Sequence, residues 1–595
     1  MKSYFIGFFL ALIASPHFFT GNGVEHPSLI ERENKIWFVR PKCAEGYTQP
    51  NDPELGLSYD KAFNGFSGID QSGIRPGDTI YICGFHDGND RETTILPFRL
   101  SGEPGQPITI SGDWPNDPGI IFGSGPHQRF SHRDSVRWED VGNHVYRKFH
   151  EPSPSEVIAM AFEKNSDGHV VRLKNDGSNI SRWTPGSFNY NKKEKAYYYK
   201  PTSAAPADSF IFYTGFSPSL IQLVSGNHDI VVRHIAMMNC FGSGGFIQMR
   251  TSADSLKLPI HDILIGNMAL RWATKALRFS GSKGKPAHHI TIKNSMIRDC
   301  HNGIYPDGEI KNIEISGNEI FDINQDGSFG RGDSHAFGLY GGGDSILIAH
   351  NHIHHVGGEG IIFYIDKRLY YLTNVAICYN YIHDVVNKGP HKQNQRGIEI
   401  GGDDRPSSQY HNRIYYNIVL NTGGAGLRLK TPYSKNLRLN SWDIYNNVIC
   451  SAAVGLTAHP VSGSILGFNL QNNIFLNSRD EHIDIQAFSD NITMDHNIYF
   501  PDGASKVKIT GAITFSGSVH NWIQWNTASA VPSFDTHSLV VDPMFADSSF
   551  ISDQSFKINS QSSARHAGIN AGITSDYFGN RIETTPDIGV YQVDK

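Results

Sequence analysis

Tyr364, Glu399, Arg428, Lys430 and His459 can all move protons or hold charge, and each sits at a matching place in a short apolar segment. In Gly426-Leu427-Arg428-Leu429-Lys430 the leucines alternate with the cations, so a strand here turns Leu427 and Leu429 one way and Arg428 and Lys430 the other. Leu339-Tyr340, Phe363-Tyr364, Gly397-Ile398-Glu399-Ile400 and Ala458-His459 repeat the alternation. Stacked in parallel, these strands bring Glu399 within about 4.8 Å of Arg428 and put Tyr340, Tyr364 and His459 in the Lys430 column. Arg250, Asp307 and Gln486 extend that column, and Arg278, Tyr305, Thr457 and Asp484 extend the other. Loops leaving the strands add His335, Arg396, Lys367 and Arg405 as substrate-binding candidates, with Asp333, Asp366, Asp403 and Asp404 as acids.

Such a face suits an extended sugar polymer, because Tyr rings stack on sugars and Arg clamps a carboxylate through two bonds. On a uronate polymer the chemistry is β-elimination: a cation neutralises the carboxylate, a base takes the adjacent C–H proton, and an acid protonates the leaving oxygen. Lys430 is the expected base, Arg428 the neutraliser, and Tyr364 or His459 the acid. Arg428 biases Lys430 toward its neutral form, and Glu399 opposes it. Glycoside hydrolysis is the alternative, with Asp403-Asp404 and Asp333 or Asp366 as paired carboxylates. Asp403 and Asp404 can equally bind Ca²⁺ through oxygen ligands. A solvated ladder with Glu399–Arg428 as a surface ion pair has the same composition, as does a carbohydrate-binding or adhesive surface without turnover.

The elements that must carry these residues repeat from about residue 227 to 500. Asn267, Asn294, Asn318, Asn351, Asn380, Asn417, Asn447, Asn473 and Asn497 mark the register at intervals of 24–37 residues, a spacing that signals stacked repeats. Each unit holds alternating strands such as Ile290-Thr291-Ile292, Ile313-Glu314-Ile315 and Ile346-Leu347-Ile348. One such unit cannot bury its apolar face, but stacked units can, which predicts an all-β parallel solenoid. Asn suits the corners because it tolerates left-handed backbone and its amide can bond from rung to rung.

The 595-residue chain has 39% hydrophobic residues, 59 glycines and a formal charge of -6. That composition suits a folded chain and offers no basic footprint for nucleic acid. Residues 1–23 have the layout of a secretory signal, with Lys2, an apolar run from Tyr4 to Ile13, then small residues. A secreted or periplasmic monomer is expected, with no bilayer-spanning stretch after the signal. Cys43 and Cys83 are the expected disulfide pair of the six cysteines, while Cys240, Cys300, Cys378 and Cys450 read as small buried hydrophobes.

Ile74-Arg75-Pro76-Gly77-Asp78-Thr79-Ile80-Tyr81-Ile82 and Gly105-Gln106-Pro107-Ile108-Thr109-Ile110 resemble the first coils of secreted right-handed β-helix proteins of the pectate-lyase-like superfamily. The resemblance covers most of residues 35–120 and 220–595. It implies a right-handed single-stranded parallel β-helix, with Lys or Arg as base and often Ca²⁺. No catalytic motif of the superfamily matches, so the roles above rest on strand geometry, and the Asp-Pro-His-Asp signature of mannuronan epimerases is absent. The expected organisation is a cap and first coils at 27–124, a β-rich insertion at 125–220, the central helix at 221–500, and terminal coils and cap at 501–595. Trp138, Trp183 and Tyr197-Tyr198-Tyr199 either pack the insertion or stack on sugar, and no chemistry is assigned to them. The terminal segment is expected to cover the open edge of the last coil. His352-Ile353-His354-His355 and Tyr381-Ile382-His383-Asp384 read as a stacked turn ladder, since no third metal ligand stands beside them.

Overall fold

The computed structural model describes Asp52, Phe329 and residues 33–42, 54–87, 96–123, 129–131, 138–149, 161–164, 170–176, 179–203, 211–214, 219–242, 244–250, 258–327, 334–365, 371–389, 394–402, 408–431, 440–460, 467–486, 492–502, 506–510, 535–582 and 584–593. The expected signal at 1–23 lies outside them. Among the described residues no helix is long and apolar enough to cross a membrane. Two compact units divide the chain, residues 1–248 with 267–276, and 249–266 with 277–595.

In the first unit, Ile36–Arg40, Thr79–Ile82, Ile108–Ser111 and His228–Arg233 stack as successive parallel strands. Asp78 ties the first two together, accepting from Lys35 N at 2.8 Å, Trp37 Nε1 at 2.9 Å and Arg75 N at 3.0 Å. Gly77 beside it takes φ +86°, a conformation open to residues without a Cβ. Between Ser111 and His228 stand a four-stranded antiparallel sheet and a mainly antiparallel five-stranded sheet. Trp138, Phe188, Tyr197 and Tyr199 form the core of the latter, so these aromatics pack rather than face solvent. Phe162 joins this insertion to the coils, 5.6 Å from Phe122 and 4.6 Å from Trp272 between ring centroids.

The second unit is a parallel stack. Ile265, Ile292, Ile315, Ile348, Ile377, Ile414, Ile444, Leu470 and Met494 follow one another in register down one inner column. All of them are buried. Burying a side chain of this kind contributes about 1.5–3 kcal/mol, which explains why register holds across so many coils.

The asparagine ladder is real from Asn318 to Asn497. Each amide donates Nδ2–H to Oδ1 of the next at 2.9–3.1 Å, through Asn351, Asn380, Asn417, Asn447 and Asn473. These asparagines are not the left-handed residues. The residue before each one is: Gly317, His350, Tyr379, Tyr416, Asn446, Asn472 and His496 take φ between +51° and +64°. Asn267 and Asn294 belong to that preceding position, at +53° and +51°. Ser295 occupies the ladder place in the coil of Asn294, its N–H donating to Asn318 Oδ1 at 3.0 Å. The expected register is therefore one residue early at these two positions, because Asn satisfies both corner demands and its spacing alone does not separate them.

The terminal segment runs along the side of the stack. Phe556, Ile558, Ala564, Ile588 and Val590 pack on Tyr381, Ile418, Leu420, Val448, Cys450, Ile474, Leu476 and Ile498. The reason lies in Ile418-Val419-Leu420, Val448-Ile449-Cys450 and Ile474-Phe475-Leu476, which are buried on both faces. A strand apolar on both faces needs cover outside as well as inside. Of the cysteines, Cys83, Cys240, Cys300, Cys378 and Cys450 are buried thiols, and no two of them lie at disulfide distance. The expected partner of Cys83, Cys43, lies outside the described residues.

Candidate active site

The parallel strands His335–Ala349, Glu359–Ile365, Arg396–Gly402, Ala425–Thr431, Val454–Pro460 and Glu481–Gln486 carry the candidate residues in the second unit. Register places Asp307, Tyr340, Tyr364 and Gly401 in one column and continues it through Lys430 and His459. Beside it run Glu399, Arg428, Thr457 and Asp484. One wall therefore holds both columns. At the start of these strands Gly360, Gly397, Gly426 and Gly455 form a third column. A Cβ at Gly426 would come within 2.4 Å of Ile449 Cγ2, so only glycine lets the backbone turn that close to the packed interior.

Glu359 organises one end of the wall. It is fully buried, and His335 Nδ1 lies 2.8 Å from its Oε2. Nε2 of His335 is 2.7 Å from the Tyr340 hydroxyl. Burial pushes the Glu359 carboxyl up, but the His335 hydrogen bond and the nearby His335 and Arg396 charges outweigh it and hold it below the usual carboxylate range. An ionised Glu359 accepts a hydrogen bond from His335 Nδ1, and Nε2 of the same ring hydrogen-bonds the Tyr340 hydroxyl. Gly338 makes room for this arrangement, since a Cβ there would stand 2.8 Å from His335 Cδ2. Tyr340 also stacks on Tyr305 at 5.0 Å and lies 5.3 Å from Tyr364, so three rings make a continuous aromatic strip.

Next along the wall, Glu399 is 3% exposed and lies between two guanidinium groups. Arg396 Nη1 makes a short hydrogen bond to its Oε2, and Arg428 Nη1 stands 3.6 Å from its Oε1. Arg428 makes no hydrogen bond to any described residue. Burial pushes its pKa down from the ordinary guanidinium value, against the attraction of Glu399. A poorly hydrated guanidinium held only by a long ion pair keeps donors for a planar carboxylate.

Lys430 Nζ lies 5.9 Å from the centre of the Tyr364 ring. The residue between them in the column is Gly401, which has no side chain. A Cβ at Gly401 would crowd Lys430 Cβ and Glu399 Oε1, each at 3.2 Å. The gap leaves a slot one rung wide, flanked by the Tyr364 phenol and the Lys430 amino group. Past Lys430, His459 Nε2 is 2.8 Å from Asp484 Oδ2.

The structure brings Tyr340, Tyr364, Arg428, Lys430 and His459 to one wall. His335 and Arg396 start strands rather than leave them, and His335, expected to touch substrate, is 1% exposed and acts through Tyr340. Glu399 likewise holds arginines in place instead of facing solvent. Lys367, Arg405, Asp403 and Asp404 lie outside the described residues, as do Asp333 and Asp366. The described wall carboxylates do not fit a Ca²⁺ site, because Asp307 is paired with Arg278, Glu399 with two arginines and Asp484 with His459. Sequence reasoning missed Glu359. Its signal was a lone acid among glycines in Gly357-Gly358-Glu359-Gly360, at a corner where charge needs a partner.

No protein-family model and no curated protein matches the chain. Among solved structures, that of XylC in complex with xylose matches with a TM-score of 0.51 at 13% identity, covering 94% of this chain and 98% of that one. The chain folds as a right-handed parallel β-helix. The pectate lyase Pel9A gives a TM-score of 0.42 at 11% identity over 94% of this chain and 97% of its own. A glycoside hydrolase gives 0.37 at 10% over 80% and 97%. At such identities the likeness speaks for the fold alone.

Proposed function

We propose that this protein binds an extended uronate-containing polysaccharide along the wall and cleaves it by β-elimination. The carrying observation is Arg428, a mostly buried guanidinium held among the described residues only by a 3.6 Å ion pair with Glu399, set two residues before Lys430 and beside the Gly401 slot. Arg428 pairs with the sugar carboxylate and makes the adjacent C–H more acidic. Lys430 takes that proton, and the C–H electrons form the new ring double bond. The glycosidic bond breaks toward its oxygen, which leaves with a proton from Tyr364. Tyr305 and Tyr340 carry neighbouring sugars on their ring faces.

The site's carboxylates support elimination over hydrolysis. Paired-carboxylate hydrolysis needs two acids flanking one bond. Of the described wall acids, Asp307 and Glu399 are held by arginines, Asp484 is hydrogen-bonded to His459 and Glu359 is fully buried. The fold match to a protein solved with xylose agrees with a sugar ligand on such a helix. Incubation with a panel of neutral and uronate polysaccharides tests the reading. Unsaturated products from uronate polymers alone are expected. New reducing ends without ultraviolet absorbance would replace elimination with hydrolysis.

A further inference from the structure

The strands Glu319–Ile323, His352–Val356 and Tyr381–Val385 stack in register before the strands of the wall. Their outward residues converge. His354 Nε2 lies 3.4 Å from Glu319 Oε1, His352 Nδ1 lies 3.8 Å from the same oxygen, and His352 Nε2 lies 2.8 Å from His383 Nε2. His354 and His383 stack face to face at 5.0 Å and 3°, which aligns their ring edges. One ligand atom each from Glu319, His352 and His354 fall within 4.8 Å of one another.

We propose that Glu319, His352 through Nδ1 and His354 through Nε2 bind one divalent transition-metal ion, with Zn²⁺ the best match. Two imidazoles, a carboxylate and a water are a tetrahedral zinc ligand set, and bond lengths near 2.0–2.1 Å put ligand atoms about 3.4 Å apart. The His354–Glu319 separation already has that value, the His352–Glu319 separation needs to close by about 0.4 Å, and His383 holds the opposite nitrogen of His352. A supporting shell is in place. Asp384 Oδ2 is 2.8 Å from His383 Nδ1, and Asp384 is itself held by Asn421, so the Nε2 lone pair of His383 is turned toward His352. His355 Nδ1 stands 2.6 Å from His354 Nδ1 and does the same for His354. The third ligand escaped the sequence reading because Glu319 lies a full coil earlier, outside any short spacing motif. Bound metal would staple two consecutive coils next to the wall without joining its chemistry.

The test uses the full chain without a histidine tag, stripped by chelator, dialysed against Zn²⁺ and measured for bound metal and thermal unfolding. One equivalent per chain, a raised Tm, and a tetrahedral visible spectrum with Co²⁺ are expected. Glu319→Gln, on an exposed side chain that leaves the ring stack whole, is expected to weaken binding at least tenfold, and His354→Gln to abolish it. His537→Gln, in the separate Asp495, His496 and His537 cluster, is expected to change nothing. No retained metal, retention unaltered in the Glu319→Gln/His354→Gln double variant, or loss of the equivalent in His537→Gln instead would each overturn the proposal.

Discussion

The Tyr340 hydroxyl hydrogen-bonds His335 Nε2 at 2.7 Å, and this bond fixes the ring that heads the aromatic strip. Tyr340→Phe keeps the ring and loses the tether. On uronate polymer it is expected to raise KM several-fold and leave kcat within about twofold, the signature of lost positioning. A collapse of kcat with KM unchanged would instead give Tyr340 the acid role assigned to Tyr364.

Glu359 couples that tether to pH. Its folded pKa is depressed, so its contribution to stability is present above the unfolded value of about 4.3 and is lost as pH falls through the folded value. Glu359→Gln should remove this part of the acid sensitivity and destabilise the protein at neutral pH by about 3 kcal/mol, since Arg396 and His335 lose a buried partner. Chemical denaturation at pH 7 and pH 4 checks both statements. Equal wild-type and variant stability at pH 7 would show that the buried carboxylate does not hold the site.

Asp535 works in the opposite direction. Full burial pushes its carboxyl up to about 7, against hydrogen bonds from Ser538 and Tyr499. A raised folded pKa means that the folded state binds the proton more tightly. Stability from this group is thus full below the unfolded value of about 3.9 and declines as pH rises toward 7. Asp535→Asn should flatten this decline and raise the Tm at pH 8. An unchanged Tm–pH profile in the variant would contradict the assignment.

Two glycines separate slot from scaffold. Gly401→Ala meets side-chain and backbone atoms at 3.2–3.3 Å, so it should fold while losing much of its activity. Gly426→Ala meets Ile449 at 2.4 Å and Gly455 O at 3.0 Å, and should cost about 1–3 kcal/mol of stability through overpacking. Urea midpoints beside activity distinguish them, and a Gly401→Ala enzyme of full activity would remove the slot from the account.

The ladder predicts its own asymmetry. Asn417 donates to Ile377 O, Tyr415 O and Asn447 Oδ1 and accepts from Asn380, all buried. Asn417→Ala should cost about 3 kcal/mol or more. Asn294→Ala loses only the ease of a left-handed corner, about 1 kcal/mol. Similar losses from both would contradict the ladder assignment.

The wall was legible because alternation in Leu427-Arg428-Leu429-Lys430 and Ile398-Glu399-Ile400 sets inside from outside, and one-residue slips would bury charge. What periodicity cannot show is which outward group is taken by a neighbour. Glu399 looked available until Arg396 came back along the strand to meet it. Glu359 and Glu319 were missed for the same reason, as their partners lie one coil away in sequence. The terminal segment's course was written in Ile418-Val419-Leu420 and its two relatives, whose unbroken apolar runs call for cover on both sides.

The central claim is that Arg428 and Lys430 act together on a bound uronate. Its most direct measurement is the rate of unsaturated-product formation by Lys430→Ala against wild type, with unfolding followed in parallel. A loss of about 10²–10⁴-fold at unchanged Tm is predicted. Elimination within about twofold of the wild-type rate would contradict it.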